Sequence, residues 1–329
     1  MTFKYNNVYI NASSTTAGVN EAKGPLSKYY DKTYTDFYIG TSSFEKAEKQ
    51  MMCDSINILL NKINKKNTDV DLFISGDLLN QMLPSNFTAS DLSIPYLGVY
   101  SACATSTEGV IIASSLIESN FINNAITSVS SSNNAAEKQF RYPVEYGGTK
   151  PKTTTFTVTG AGSLYISNKK SNIKVESGTI GRVIDMGVTD VFNMGAVMAP
   201  ACADTIYRHL IDTKRDVNYY DLILSGDLGI YGKDILKEYM NKEYDINLTN
   251  YDDSASMIYD IDNQDVFAGG SGPSCLPLVT YGYIFNQMKS KKLKKVLLVA
   301  TGSLHSPQSV NEKMTIPAIA HAISLEVID

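Results

Sequence analysis

Cys103 is the residue whose type and setting best suit covalent chemistry. It lies in GVYSACATSTEG (98–109), among Ser101, Ala102, Ala104, Thr105 and Ser106, small residues that leave room for a ligand. The stretch 106–119 that follows carries Val110, Ile111, Ala113 and Leu116 on one broad stripe, as a helix does, and Cys103 stands just ahead of it. A thiol there meets unpaired backbone N–H groups and the positive end of the helix dipole, both of which favour thiolate. A thiolate so placed can accept an acyl group. A plain buried cysteine fits the same residues, since free cysteine is among the most buried residue types.

Acyl transfer also needs a base or donor at the sulfur and donors for the oxyanion. The chain has 3 histidines. His209 falls in a helix around 199–211 and reads as a surface or partly packed residue. His321 precedes a closing strand and reads as filling space or hydrogen-bonding locally. His305 follows VLLVATG, in the loop at a strand's C-terminal end, where it can approach Cys103 or a ligand. Cys53, Cys202 and Cys275 are scattered, with no CxxC pair, which predicts reduced thiols and neither disulfide nor zinc site. GDLGIYGKD (226–234) lacks P-loop spacing, GAGSLY lacks the third glycine of a dinucleotide fingerprint, and neither HExxH nor an EF-hand loop occurs. No protein-held metal and no cofactor are expected.

The same region suits a small anion. Two helix N-termini, at Cys103 and after GGSGPS (269–274), offer orphan N–H donors to a carboxylate, although GGSG also fits close helix packing. QFRYPVEYGG (139–148) supplies Arg141, whose planar fork suits a carboxylate, with Phe140 and Tyr142 to cover a ring. Arg141 paired with Glu137 or Glu145, and aromatics in the core, remain the alternative. Asn133 follows a strand end in SSSNNAAE (130–137) and can reach the same space. Asp77 and Asp227 end two similar strands and are read as capping helices or ordering loops, outside the site.

The elements that must hold these residues show up as a repeat. DLFISGDL (71–78) and DLILSGDL (221–228) match at six of eight positions. In the same register Asp54-Ser55-Ile56 aligns with Asp204-Thr205-Ile206, and Leu60 with Leu210. Further on, AITSVSSS (125–132) parallels LLVATGSL (297–304), and GAGSLYI (160–166) parallels HAISLEV (321–327). Each half reads as helix, apolar strand, loop, helix, apolar strand and closing strand. Runs such as DLFIS and VLLVA fit strands covered on both faces. A duplicated α/β fold follows, with halves 1–170 and 171–329 around a pseudo-two-fold axis.

Composition excludes several classes. With 329 residues and 43 % hydrophobic content, the chain can bury a large core. A net charge of −5 and the lack of a basic arm argue against nucleic acid. MTFKYNNVYINASS lacks the features of a secretory signal, so a chain that is not secreted is expected. Apolar stretches such as KKVLLVATG fall short of the roughly 18–20 residues that span a bilayer. The lysine run KSKKLKKV (289–296) reads as a solvated loop, or else as a contact with anionic lipid or a membrane partner.

The duplicated halves and GVYSACATSTEG resemble the thiolase superfamily, particularly type III ketoacyl synthases, where a reactive cysteine opens the buried helix of the first half. Nearly the whole chain also resembles the stage V sporulation AD family of spore-forming bacteria. That likeness rests on AEKQFRYPVEYGGTKP (136–151), ISGDLLNQ (74–81), MGAVMAPACADTI (194–206), VFAGGSGPSC (266–275) and VATGSLHSP (299–307). The resemblance implies an α/β, thiolase-like five-layer αβαβα fold, usually dimeric. It implies binding of dipicolinic acid (pyridine-2,6-dicarboxylate) and a part in its uptake into the developing spore. Calcium would arrive only as the dipicolinate chelate. The protein would sit at the spore inner membrane, on the cytoplasmic side of the forespore membrane, beside integral membrane proteins of the same operon. The synthases' His and Asn correspond here to Gly226 and Gly270, which have no side chain to donate, leaving Cys103 as a vestigial nucleophile. The expected ligand-binding set is Cys103, Asn133, Arg141, Tyr142, Gly226, Gly270, Ser271 and His305. The alternatives are an acyl-transferring condensing enzyme using Cys103 and a scaffold with a disused pocket.

Overall fold

A computed structural model describes residues 1–140 and 149–328; Arg141 and Tyr142 lie outside the described residues. The first half runs β1 (Thr2–Lys4), β2 (Tyr9–Ala17), β3 (Lys32–Thr33), α1 (Phe44–Lys62), β4 (Leu72–Gly76), α2 (Leu83–Leu92), β5 (Tyr96–Gly98), α3 (Thr105–Glu118), β6 (Asn124–Ser131), α4 (Asn133–Phe140), β7 (Phe156–Thr157) and β8 (Gly160–Ser167). The second runs β9 (Ile173–Ile180), α5 (Met194–Thr213), β10 (Leu222–Ser225), α6 (Gly229–Tyr244), β11 (Tyr251–Asp253), α7 (Ala255–Ile258), β12 (Gly270–Ser271) and α8 (Cys275–Pro277). A π-helical stretch (Leu278–Ile284) then leads into α9 (Phe285–Lys289), β13 (Lys295–Ser303), α10 (Pro307–Asn311) and β14 (Ala318–Val327).

Hydrogen bonding orders the main strands β11-β10-β13-β14-β9-β2-β8-β6-β4-β5. Read outward from the β9–β2 junction, the two halves have one topology. In each, the first strand lies beside the antiparallel closing strand, followed by strands that run parallel to one another. The halves meet where Tyr9 and Ile10 pair with Lys174 and Ile173. Every segment of the sequence repeat falls on an equivalent pair: α1 with α5, β4 with β10, β6 with β13, β8 with β14.

The apolar strands alternate between two buried environments. In the second half, Leu224, Val296 and Leu298 face a central core, while Ile223, Leu297 and Val299 face an outer one under α5 and α6. In the first half, Ile74 and Ala125 join the central core, while Phe73 and Ile126 face outward beneath α1 and α2. Between the two half-sheets lie α3 and the helical stretch 275–289. This is the five-layer αβαβα arrangement. The α3 helix is buried nearly all round, including Thr105, Ser106, Thr107 and Ser114, because sheets cover both its sides. Thr107 Oγ1 donates to the His321 carbonyl of β14 at 3.0 Å, tying the halves together through this helix.

Two histidines correct the sequence reading. His209 is fully buried, with Nδ1 2.7 Å from Thr179 Oγ1 and Nε2 2.6 Å from the Tyr220 hydroxyl. Burial holds its imidazole neutral, with the pKa lowered to about 4. His321 lies within β14, and its Nδ1 accepts the Gly181 N–H at 3.2 Å.

Candidate functional site

Cys103 sits in a tight elbow between β5 and α3. Ala102 adopts a left-handed φ of 49°, a strained conformation for a residue with a Cβ. Thr105 Oγ1 clamps the elbow, accepting from Ser101 N at 3.0 Å and donating to the Ala102 carbonyl at 2.6 Å. The second half makes room for it at Gly302 of β13, where a Cβ would lie 2.2 Å from the Ser101 carbonyl oxygen. The elbow holds the half-buried thiol at the wall of a cavity of about 120 Å³.

Three segments of the second half form the opposite wall. Asp227, between β10 and α6, is 1 % exposed and its carboxyl is hydrogen-bonded to the Cys103 thiol. Its Oδ1 also accepts from Thr301 Oγ1, and Oδ2 accepts from Gly272 N at 3.4 Å. Ser271, at the end of β12, and Gly272 just after it line the cavity. Gly272 needs its φ of +98°, and a Cβ there would lie 3.0 Å from Ser131 Oγ. His305 lines the cavity from the segment after β13, its Nδ1 2.8 Å from Ser303 Oγ and its ring 5.4 Å from that of Phe140. Beyond Phe140, Tyr100 and His305 the cavity continues into a vestibule of about 420 Å³.

The structure thus brings Cys103, Ser271 and His305 together and sets three other expected residues back. Gly226 packs against β13, where a Cβ would meet Thr301 N at 3.2 Å, so it leaves no space beside the sulfur. Gly270 pairs with Phe156 in β12 and faces Ile258, Val158 and the Cys275 sulfur. Asn133 begins α4 with its N–H donating to Thr159 Oγ1 at 2.9 Å. The face that α4 turns to the cavity carries Ala136, Glu137 and Phe140, one turn further along. Asp227, read from sequence as a cap or loop residue, is instead the sulfur's neighbour. Its place at the C-terminal end of a repeated strand was the available signal.

The electrostatics reverse the expectation for Cys103. Burial pushes the thiol well above its ordinary pKa, and the Asp227 carboxylate adds to the rise. A hydrogen bond from the Gly272 N–H opposes it only in part. Asp227 is itself raised to about 7, by burial first and with the Asp253 carboxylate adding, against hydrogen bonds from Cys103, Thr301 and Gly272.

The family model for stage V sporulation protein AD matches residues 1–326. The chain is 46 % identical over 320 residues to "Stage V sporulation protein AD" of Bacillus subtilis (strain 168), covering 97 % of this chain and 94 % of that protein. The chain belongs to the stage V sporulation protein AD family. Its sporulation context comes with that membership.

The fold of this AD family member is also that of condensing enzymes. It superposes on 3-oxoacyl-[acyl-carrier-protein] synthase III from Aquifex aeolicus VF5 with a TM-score of 0.61 at 14 % identity, covering 97 % of this chain and 99 % of that one. A single-residue variant of OleA from Xanthomonas campestris gives 0.60 at 12 % identity, covering 98 % and 99 %. Among the described residues, no helix is long and apolar enough to cross a membrane, and no group of three or more His, Cys, Asp or Glu is placed to hold a metal ion.

Chemically, the arrangement keeps the proton on sulfur. A nucleophilic thiolate needs a neighbour that accepts or balances its charge, such as an imidazole or a nearby cation. A buried carboxyl does the opposite.

Proposed function

We propose that this AD family member is a non-catalytic dipicolinate-binding protein supporting dipicolinate uptake into the developing spore. The observation that carries the reading is the pairing of the Cys103 thiol with the buried Asp227 carboxyl, which disfavours thiolate in a cleft that remains open. The cavity's chemistry suits a flat aromatic acid. Met194, Met198, Tyr100 and Phe140 offer apolar walls, while Gly272 N–H, Ser271 and His305 offer polar contacts. None of the described lining residues is Lys or Arg. We assign the second carboxylate to Arg141, with Tyr142 covering the ring, on their place in the sequence next to Phe140. Calcium enters as the dipicolinate chelate, without a protein-held site. The protein acts as a homodimer, peripheral to the spore inner membrane, with integral membrane proteins of the same operon as partners.

Titration calorimetry with dipicolinate tests this. Saturable binding that weakens at least tenfold in Arg141→Ala is expected. No heat at millimolar ligand favours a scaffold with a disused pocket. The second reading, an acyl-transferring enzyme, draws on the shared fold and predicts a stoichiometric acyl adduct on Cys103 after incubation with acyl-CoA.

A further inference from the structure

Asp227 is a carboxyl group with a task that neither packing nor acyl transfer explains. It is buried, yet it lines the cavity instead of sitting behind its wall. Among the described residues, the elements packed against it present neutral or acidic groups. The elbow before α3 brings Cys103, α8 brings Cys275, α5 brings Cys202, β13 brings Thr301, and β11 brings Asp253. On the cavity side stand His305 and Glu137, with Glu137 paired to Lys150 at 3.0 Å.

A carboxylate ligand entering about 120 Å³ beside this group creates a like-charge pair with a carboxyl that is itself almost wholly buried. Two carboxylates sharing such a site do not both stay ionised; one takes a proton. The ligand keeps contact with the wetter vestibule, while Asp227 is enclosed, so the protein carboxyl is the one that gains it. As an acid, Asp227 changes from a repelling charge into a hydrogen-bond donor for the ligand.

We infer that Asp227 couples ligand capture to protonation: the cavity takes the aromatic dicarboxylate together with one proton, which passes from solvent to the Asp227 carboxyl. Asp227 is therefore the residue that sets how binding depends on pH. The inference rests on the reading of this cavity as a dipicolinate site. The raised pKa of Asp227, about 7, agrees with the geometry and places the window. Below it the acid is already in place and binding takes up no proton. Above it each binding event takes up one, so affinity falls about tenfold per pH unit. Ligand carboxylates are ionised throughout this range.

The test is calorimetry with dipicolinate from pH 6 to pH 8.5, at each pH in two buffers of different ionisation heat. Wild type is expected to take up about one proton per ligand at pH 8 and close to none at pH 6. In Asp227→Asn both the proton uptake and the pH slope should vanish. In His305→Gln the slope should persist, because His305 is a contact and not the proton acceptor. Saturable wild-type binding with no proton uptake at pH 8 overturns the inference and leaves the dipicolinate reading intact. A slope that survives in Asp227→Asn or disappears in His305→Gln also overturns it. No saturable binding at any pH removes the dipicolinate reading and this inference with it. The wild-type buffer comparison decides the matter even if Asp227→Asn does not fold.

Discussion

Replacing Asp227 with Asn should change the pH dependence of folding in a way that isolates this one carboxyl. In the folded protein its pKa is raised from 3.8 to about 7. The folded state therefore holds a proton that the unfolded chain has released between those values, and stability falls as pH rises through that window. At 1.36 kcal/mol per pKa unit the loss is on the order of 4 kcal/mol, complete above pH 7. Asn has the same shape and does not titrate. Its carboxamide oxygen can still accept from Thr301 Oγ1, while its NH₂ meets the Gly272 N–H poorly, which adds a pH-independent offset. Urea unfolding of both proteins from pH 4 to pH 8.5 gives the difference directly. The variant should gain on wild type by several kcal/mol between pH 4 and pH 7, with no further gain above. Parallel profiles would refute the assignment of a buried, protonatable carboxyl at the cavity floor.

Other consequences follow from individual contacts. At pH 7.5 Cys103 should react with iodoacetamide more slowly than a free cysteine peptide, and intact mass should show no adduct after acyl-CoA exposure; rapid alkylation would contradict the thiol–carboxyl pairing. Gly272→Ala forces a Cβ onto a φ of +98° and against Ser131, so it should cost about 1–3 kcal/mol of stability and at least tenfold in dipicolinate affinity; unchanged calorimetry and unfolding would remove Gly272 from the site. His209→Ala removes a buried ring bonded to Thr179 and Tyr220, at about 2–4 kcal/mol in urea unfolding at pH 7.5. Because burial depresses the His209 pKa from 6.5 to about 4, wild type should lose stability as pH falls through that interval, and the alanine variant should lack this loss.

Much of the fold was legible because its strands are buried on both faces. Runs such as LIL (222–224) and VLLVA (296–300) are continuously apolar, and the repeat aligns their strands with their counterparts. The first strand of each half was not legible. Tyr9–Ala17 is mostly Ser, Thr and Ala, and Ile173–Ile180 interleaves Lys174, Glu176, Ser177 and Thr179 with its apolar residues, so neither run reads as a buried strand. Tyr96–Gly98 and Tyr251–Asp253 have three residues each, too few for a period to show.

The site was legible in part. Cys103, Ser271 and His305 stand where glycine-rich turns and strand ends put them. Asp227 escaped because its repeat partner behaves as a structural residue. Asp77 turns back to accept from Leu79 N and Ser85 N, each at 2.9 Å, under α2. Equivalent positions in the two halves thus do different work, which strand pattern alone does not distinguish. Gly226 and Gly270 rest on the resemblance to the synthases' His and Asn positions, and the chain places the residue after each, Asp227 and Ser271, on the cavity wall.

The most direct measurement is a crystal structure of the protein grown with dipicolinate. The pyridine ring should lie between Cys103 and His305, with a carboxylate near the Gly272 N–H and an unmodified sulfur at Cys103. An empty cleft at saturating ligand, a ring bound elsewhere, or an acyl group on that sulfur would contradict the account.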